Sequence, residues 1–195
     1  SFTLPQGLTN LAELNLFFNQ LTNLNLPSDL RGLTNLNLDF NRFTSLSLPT
    51  NLTRLSALHL RANLLTNFNL PAEFTELSYL DLSTNQLSNV TLPAGHPKLS
   101  ILALSRNKFT SFTLPPGLTN LVALFFGGIK LRNVVLPPNL GHLASLDLGG
   151  NLLKSLTVPA GLTNLYGLFS TGNQLTKITL PPDLPRLGAL GNLGK

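Results

Sequence analysis

Apolar residues recur along this chain in one pattern that never slips. LNLFFNQL at 14–21, LNLDFNRF at 36–43 and LDLSTNQL at 80–87 each set two apolar residues two apart, an asparagine three further on, and another apolar residue two beyond it. Prolines at 5, 27, 49, 71, 93, 115, 137, 159 and 181 keep the same interval of 22 residues. So do Asn19, Asn41, Asn63, Asn85, Asn107, Asn151 and Asn173, with a single gap at Ile129. The unit is LxxLxLxxNxLxxLxLPxxLxx. Its LxL core alternates with period two, which predicts a short strand with one buried face. Coils of constant length stack such strands as a parallel sheet about 4.8 Å apart. The asparagine ends the strand, where its amide can bond backbone groups of the turn and of the next coil, building a ladder. The second half of each unit (NLNLP, SLSLP, NFNLP, NVTLP) alternates again and stops at a proline, predicting a second extended segment on the back. Only PxxLTNL leaves room for a short 3₁₀ or α turn.

These columns resemble the leucine-rich repeat family, whose defining segment is LxxLxLxxNxL, and the resemblance covers essentially the whole chain. The strand-like second half resembles bacterial variants of that family. The implied fold is a β-rich solenoid over residues 1–195, about nine coils, with a parallel sheet on one face and an extended or β segment on the back. The implied function is a non-catalytic interaction module that binds a macromolecular partner through the strand-lined face. A protein or an extracellular glycan is the partner class implied, in an extracellular or cell-surface setting.

Composition narrows this reading. The chain has 43% hydrophobic residues over 195 positions and no cysteine, so disulfides, thiolate metal sites and thiol nucleophiles are excluded. It contains no apolar run long enough to span a membrane. SFTLP opens the chain and recurs at 111–115; a start in mid-pattern, with a last coil decaying into GALGNLGK around Asn192, reads as a piece of a larger protein lacking its caps. Charge is unevenly spread: residues 1–97 hold four Lys/Arg and six Asp/Glu, whereas residues 98–195 hold nine and two, or −2 followed by +7.

The search for chemistry is mostly negative, with no hydrolase, zinc-protease or phosphate-loop motif. His59, His96 and His142 fall in different columns, so no metal site and no cofactor are expected. On the strand face, neighbours in a column lie one coil apart, which sets His59 beside Asp81 and Arg61 beside Asp39, with Tyr79 near. This polar patch is a candidate recognition spot, and His59–Asp81 is the one pair within reach of acid/base work. Phe17, Phe18 and Phe40 cluster on the early coils. Phe125 and Phe169 flank Asp147 on the later ones, a glycan-binding or glycan-processing alternative. Arg106, Lys108, Lys130, Arg132, Lys154 and Lys177 form a basic ridge that could engage a polyanion or simply keep an edge soluble. Nucleic acid is not expected, because no aromatics are interleaved. The small polar residues of the back strand (Thr22, Asn23, Thr44, Ser45, Thr66, Asn67) resemble ice-binding ladders, interrupted by Arg132, Lys154 and Lys177. Finally, LFFGGIKL breaks several columns at once. Ile129 is expected to point into the core, and this coil divides an acidic, regular half from a basic, glycine-rich half on which the partner's footprint is expected.

Overall fold

The computed structural model describes residues 1–191. Nine strands among the described residues stack into one parallel sheet, from Glu13–Asn15 at one end to Ala189–Leu190 at the other. Register advances by one repeat per strand: Leu14 pairs with Leu36, Leu36 with Leu58, Leu58 with Leu80, and so on to Leu168 with Leu190. The central leucine of each interior strand is completely buried, and its two neighbours lie on the opposite face, as period-two geometry dictates. Those neighbours are exposed or half-buried except at Asp81, Ala103, Ala123 and Gly167, which are covered by their surroundings. A sheet this narrow gains its stability from the leucine columns it shares with adjacent coils rather than from any one strand.

The back is less regular. Phe2–Thr3 pairs with Leu24–Asn25, Asn67–Asn69 with Asn89–Thr91, and Ser155–Thr157 with Lys177–Thr179, and one isolated bridge joins Thr113 to Val135. These are separate two-stranded pieces, not a second continuous sheet. Every second side chain there faces water, so the back has little burial with which to hold a common register. No helix forms among the described residues. The proline corners are single turns closed by bonds such as Leu55 N–H to Leu52 O and Leu77 N–H to Phe74 O, each 3.0 Å. Asn192, expected where a core leucine belongs, lies outside the described residues.

One core column holds a surprise. Leu30, Leu52, Phe74, Leu118, Leu140 and Leu162 share it with His96, which is fully buried. Its Nδ1 lies 3.1 Å from Phe74 O, its Nε2 has no hydrogen-bond partner, and burial pushes the imidazole pKa below its usual 6.5.

Candidate functional site

The strand-lined face presents three outward columns, and a repeated turn sets the middle one. Asn15, Asn37, Asp81 and Asp147 each accept the N–H two residues ahead (Phe17, Asp39, Ser83 and Gly149) at 2.8–3.0 Å. A short carboxylate or amide is what closes such a turn at the strand end. That local bond corrects one expectation. His59 stands opposite Asp81 in the ladder, yet the two side chains make no hydrogen bond. Asp81 is committed to the Ser83 amide and accepts a long bond from Tyr79 Oη (3.4 Å), while the His59 ring packs against Tyr79 with centroids 4.6 Å apart. The acid/base pair is therefore not assembled. Arg61 is likewise beside Asp39 through its backbone: the Arg61 N–H donates to Asp39 Oδ1 at 2.6 Å, and its guanidinium lies 5.9 Å from the centre of the Phe40 ring. Burial raises the Asp39 carboxyl pKa, and burial followed by the Asp81 charge raises that of the Tyr79 phenol.

Between these groups lies an open depression of about 420 Å³, lined among others by Arg61, Tyr79, Asp81, Ile101, Arg106 and Phe125. Phe125 is half-buried at its wall. Asp147 pairs in register with Phe125 on one side and Phe169 on the other, and Phe169 is exposed. The Asp147 carboxylate sits close to Gly127 and Gly149, where an added Cβ would come within 3.0 and 3.1 Å of its oxygens.

A feature that the sequence reading missed is the backbone at the rim. The residue before each asparagine adopts a left-handed conformation: Phe18, Phe40, Ala62, Thr84 and Arg106 have φ between 54° and 56°. The same position is glycine at 128, 150 and 172. Left-handed backbone suits glycine and strains other residues, so the glycines of the later coils were the available signal. Phe18 (74% exposed) and Phe40 (38%) are held outward there, and with Phe17 they form a cluster whose ring centroids lie 5.3–6.2 Å apart. They line a second open depression with Asn19, Gln20, Arg42 and Ala62.

Beneath the rim runs the asparagine ladder. Asn85 Nδ2 donates to Leu60 O (2.9 Å) and Leu82 O (3.0 Å), and its Oδ1 accepts Leu65 N–H (3.0 Å); Asn41, Asn63, Asn107 and Asn151 repeat these bonds and are buried. Asn173 makes the same set half-buried, and Asn19 at the first coil is exposed. Ile129 is wholly inside the core. Arg106, Lys108, Lys130, Arg132, Lys154 and Lys177 are all exposed, along the bend that joins the front sheet to the back. Among the described residues, no group of three or more His, Asp or Glu is placed to hold a metal ion, and no helix is long and apolar enough to cross a membrane.

A family model described as BspA type leucine-rich repeat region matches residues 1–107 and 99–190, in six copies. The functional domain of InlJ from Listeria monocytogenes, which includes a cysteine ladder, is 28% identical with a TM-score of 0.82, over 96% of this chain and 41% of that one. The leucine-rich repeat protein LIC12759 of Leptospira interrogans is 30% identical with a TM-score of 0.73, over 96% and 50%. The Arabidopsis receptor kinase HAESA ectodomain, in complex with a peptide hormone ligand, is 25% identical with a TM-score of 0.64, over 97% and 39%. The chain thus spans half or less of the length of each of these structures. No curated protein matches it.

Proposed function

The chain belongs to the BspA type leucine-rich repeat family, and from that premise we propose that it is a non-catalytic module that binds a polypeptide partner along its strand-lined face. The observation that carries this reading is the strained rim. Non-glycine side chains are kept in left-handed backbone at Phe18, Phe40, Thr84 and Arg106, beside two open depressions, although glycine serves the same turn at 128, 150 and 172. Backbone strain of this kind costs about 1 kcal/mol per residue and concentrates where a side chain is needed for recognition. It supports a footprint on the N-terminal and central coils, rather than on the glycine-rich C-terminal side to which the charge distribution pointed. Exposed phenylalanines next to Arg42, Arg61 and Tyr79 have the aromatic and arginine composition of protein-binding surfaces. That the HAESA ectodomain holds a peptide ligand supports polypeptide as the partner class.

A random peptide display library panned on the immobilised chain tests the proposal. Enriched peptides are expected to lose most of their binding on Phe40→Gly, Tyr79→Ala and Phe125→Ala, and to keep it on the back-strand change Thr44→Ala. Peptides that bind all four variants equally would overturn the assignment to this face.

A further inference from the structure

Apart from Arg106, which lines the depression on the strand face, the basic residues of the ridge form a surface outside the proposed peptide-binding face, and their arrangement has a direction. Lys108 and Lys130 stand in the column just after the ladder position, Arg132 and Lys154 two residues further around the bend, and Lys177 one further still. Toward the C-terminal end the line climbs one coil, about 4.8 Å, from Lys108 to Lys130, from Arg132 to Lys154 and from Lys154 to Lys177, and moves two residues around the bend within one coil from Lys130 to Arg132, giving a diagonal row of cations with roughly 5–8 Å between backbone positions. All are exposed, and among the described residues none is in an ion pair; the single salt bridge is Lys98 to Glu76. Lys108 donates to Gln86 Oε1, a neutral acceptor that leaves its charge uncompensated. The line runs through the half of the chain that carries +7.

We propose that this diagonal ridge is a second binding site, and that its ligand is an acidic polysaccharide. Three observations select that class. Five cations over four successive coils, spaced singly along a line rather than clustered, match a linear polymer with one anionic group per sugar unit. Between the cations lie exposed hydroxyl and amide side chains, Thr110, Asn133, Ser155 and Thr176, which offer donors and acceptors to sugar hydroxyls. The aromatic ring next to Lys108, Phe109, is buried and unavailable for stacking, whereas single-stranded nucleic acid is held by stacking its bases on aromatic rings. An anionic bilayer would need the charges in one plane beside a buried apolar face, and the ridge instead wraps a bend with polar neighbours.

The test uses the whole chain and polygalacturonate immobilised on a sensor, with dextran as the neutral control. The wild type is expected to bind polygalacturonate at low ionic strength, with affinity falling linearly in log salt, and to ignore dextran. The triple change Lys130→Gln, Lys154→Gln, Lys177→Gln is expected to weaken binding by about tenfold or more and to flatten the salt dependence. Lys98→Gln and Arg31→Gln, away from the ridge, are expected to leave it unchanged. A thermal melt of the triple variant checks that it is folded. Peptides recovered on the strand-lined face should bind the triple variant as they bind the wild type, so failure of the ridge is separable from failure of that face. The proposal is overturned by a wild type that does not bind polygalacturonate, by a triple variant that binds it normally, or by oligo-dT or phosphatidylglycerol vesicles that bind as tightly and respond to the same three changes.

Discussion

Set the coil of Asn85 beside the coil of Ile129. In the first, one amide gives N–H bonds to Leu60 O and Leu82 O and accepts the Leu65 N–H. In the second, a wholly buried isoleucine gives and accepts nothing through its side chain, and the fold continues undisturbed. The difference is absorbed by redundancy. In the intact ladder each front carbonyl receives two amides, so Leu82 O is reached from Asn85 and from Asn107. At the gap Leu104 O keeps Asn107 and Phe126 O keeps Asn151, and Asn151 Oδ1 accepts both Leu131 N–H (3.0 Å) and Ile129 N–H (3.1 Å). What is lost is an acceptor for Phe109 N–H, whose counterparts at Leu65, Leu87 and Leu131 each donate to an asparagine. The turn is also rebuilt: Lys130 takes φ 62° in addition to Gly128 at 69°, and Lys130 N–H lacks the bond that Lys108 and Leu152 make to the preceding coil. Packing compensates, since Phe126 replaces a leucine and meets Phe112 at 5.0 Å, which in turn meets Phe109 at 5.8 Å.

The largest effect is expected from making the regular coil resemble the irregular one. Asn85→Leu orphans Leu65 N–H without the compensating turn or aromatic packing, and is expected to cost about 2–3 kcal/mol in urea unfolding. A loss below about 0.5 kcal/mol would mean that the ladder is ornamental.

The regular half has a soft point of its own in His96. Its folded pKa is lowered by burial, so the native state favours the neutral ring. The associated stability is complete above the unfolded value of 6.5 and is lost as pH falls below it toward the lowered folded value. We expect stability to drop as pH falls below about 6.5, with a slope of at most about 1.4 kcal/mol per pH unit from this group. His96→Leu, which matches the column, should remove that component. A variant with the wild-type pH profile would clear His96 of the effect.

Smaller still are the changes at the gap itself. Ile129→Asn is expected to be neutral or to stabilise by up to about 1 kcal/mol, by offering Phe109 N–H its acceptor. Lys130→Gly should gain somewhat less than about 1 kcal/mol by relieving the left-handed backbone. The two gains should not add, because a restored asparagine turn would return residue 130 to ordinary φ; additive gains in a double-mutant cycle would show that the turns are independent.

The coil length, the front sheet and its register were legible because the 22-residue period leaves one way to stack Leu36 on Leu58 on Leu80. The burial of Ile129 was legible from its apolar character. Column position brought His59 next to Asp81 correctly but could not give their bonding, which a local turn to Ser83 decides. Nor did it reveal the discontinuity of the back, since paired segments such as NFNLP and the unpaired SLSLP are written in the same alternation. That discontinuity removes the regular ruler an ice-binding ladder would need. The rim was hidden for a different reason: phenylalanine and threonine are poor markers of left-handed backbone, so Phe18 and Thr84 look like ordinary turn residues until the backbone angles are seen.

Residue-resolved amide hydrogen exchange tests the central claim, that coupling between coils runs through the asparagine ladder and has one open rung. The amides of Phe43, Leu65, Leu87 and Leu131, each bonded to an asparagine Oδ1 of the next coil, should exchange slowly and at similar rates. Phe109, whose position in the column faces Ile129 instead of an asparagine, should exchange faster by about tenfold or more in the wild type and fall into line in Ile129→Asn. Equal protection of Phe109 and its column neighbours in the wild type would show that the coils are coupled without the ladder.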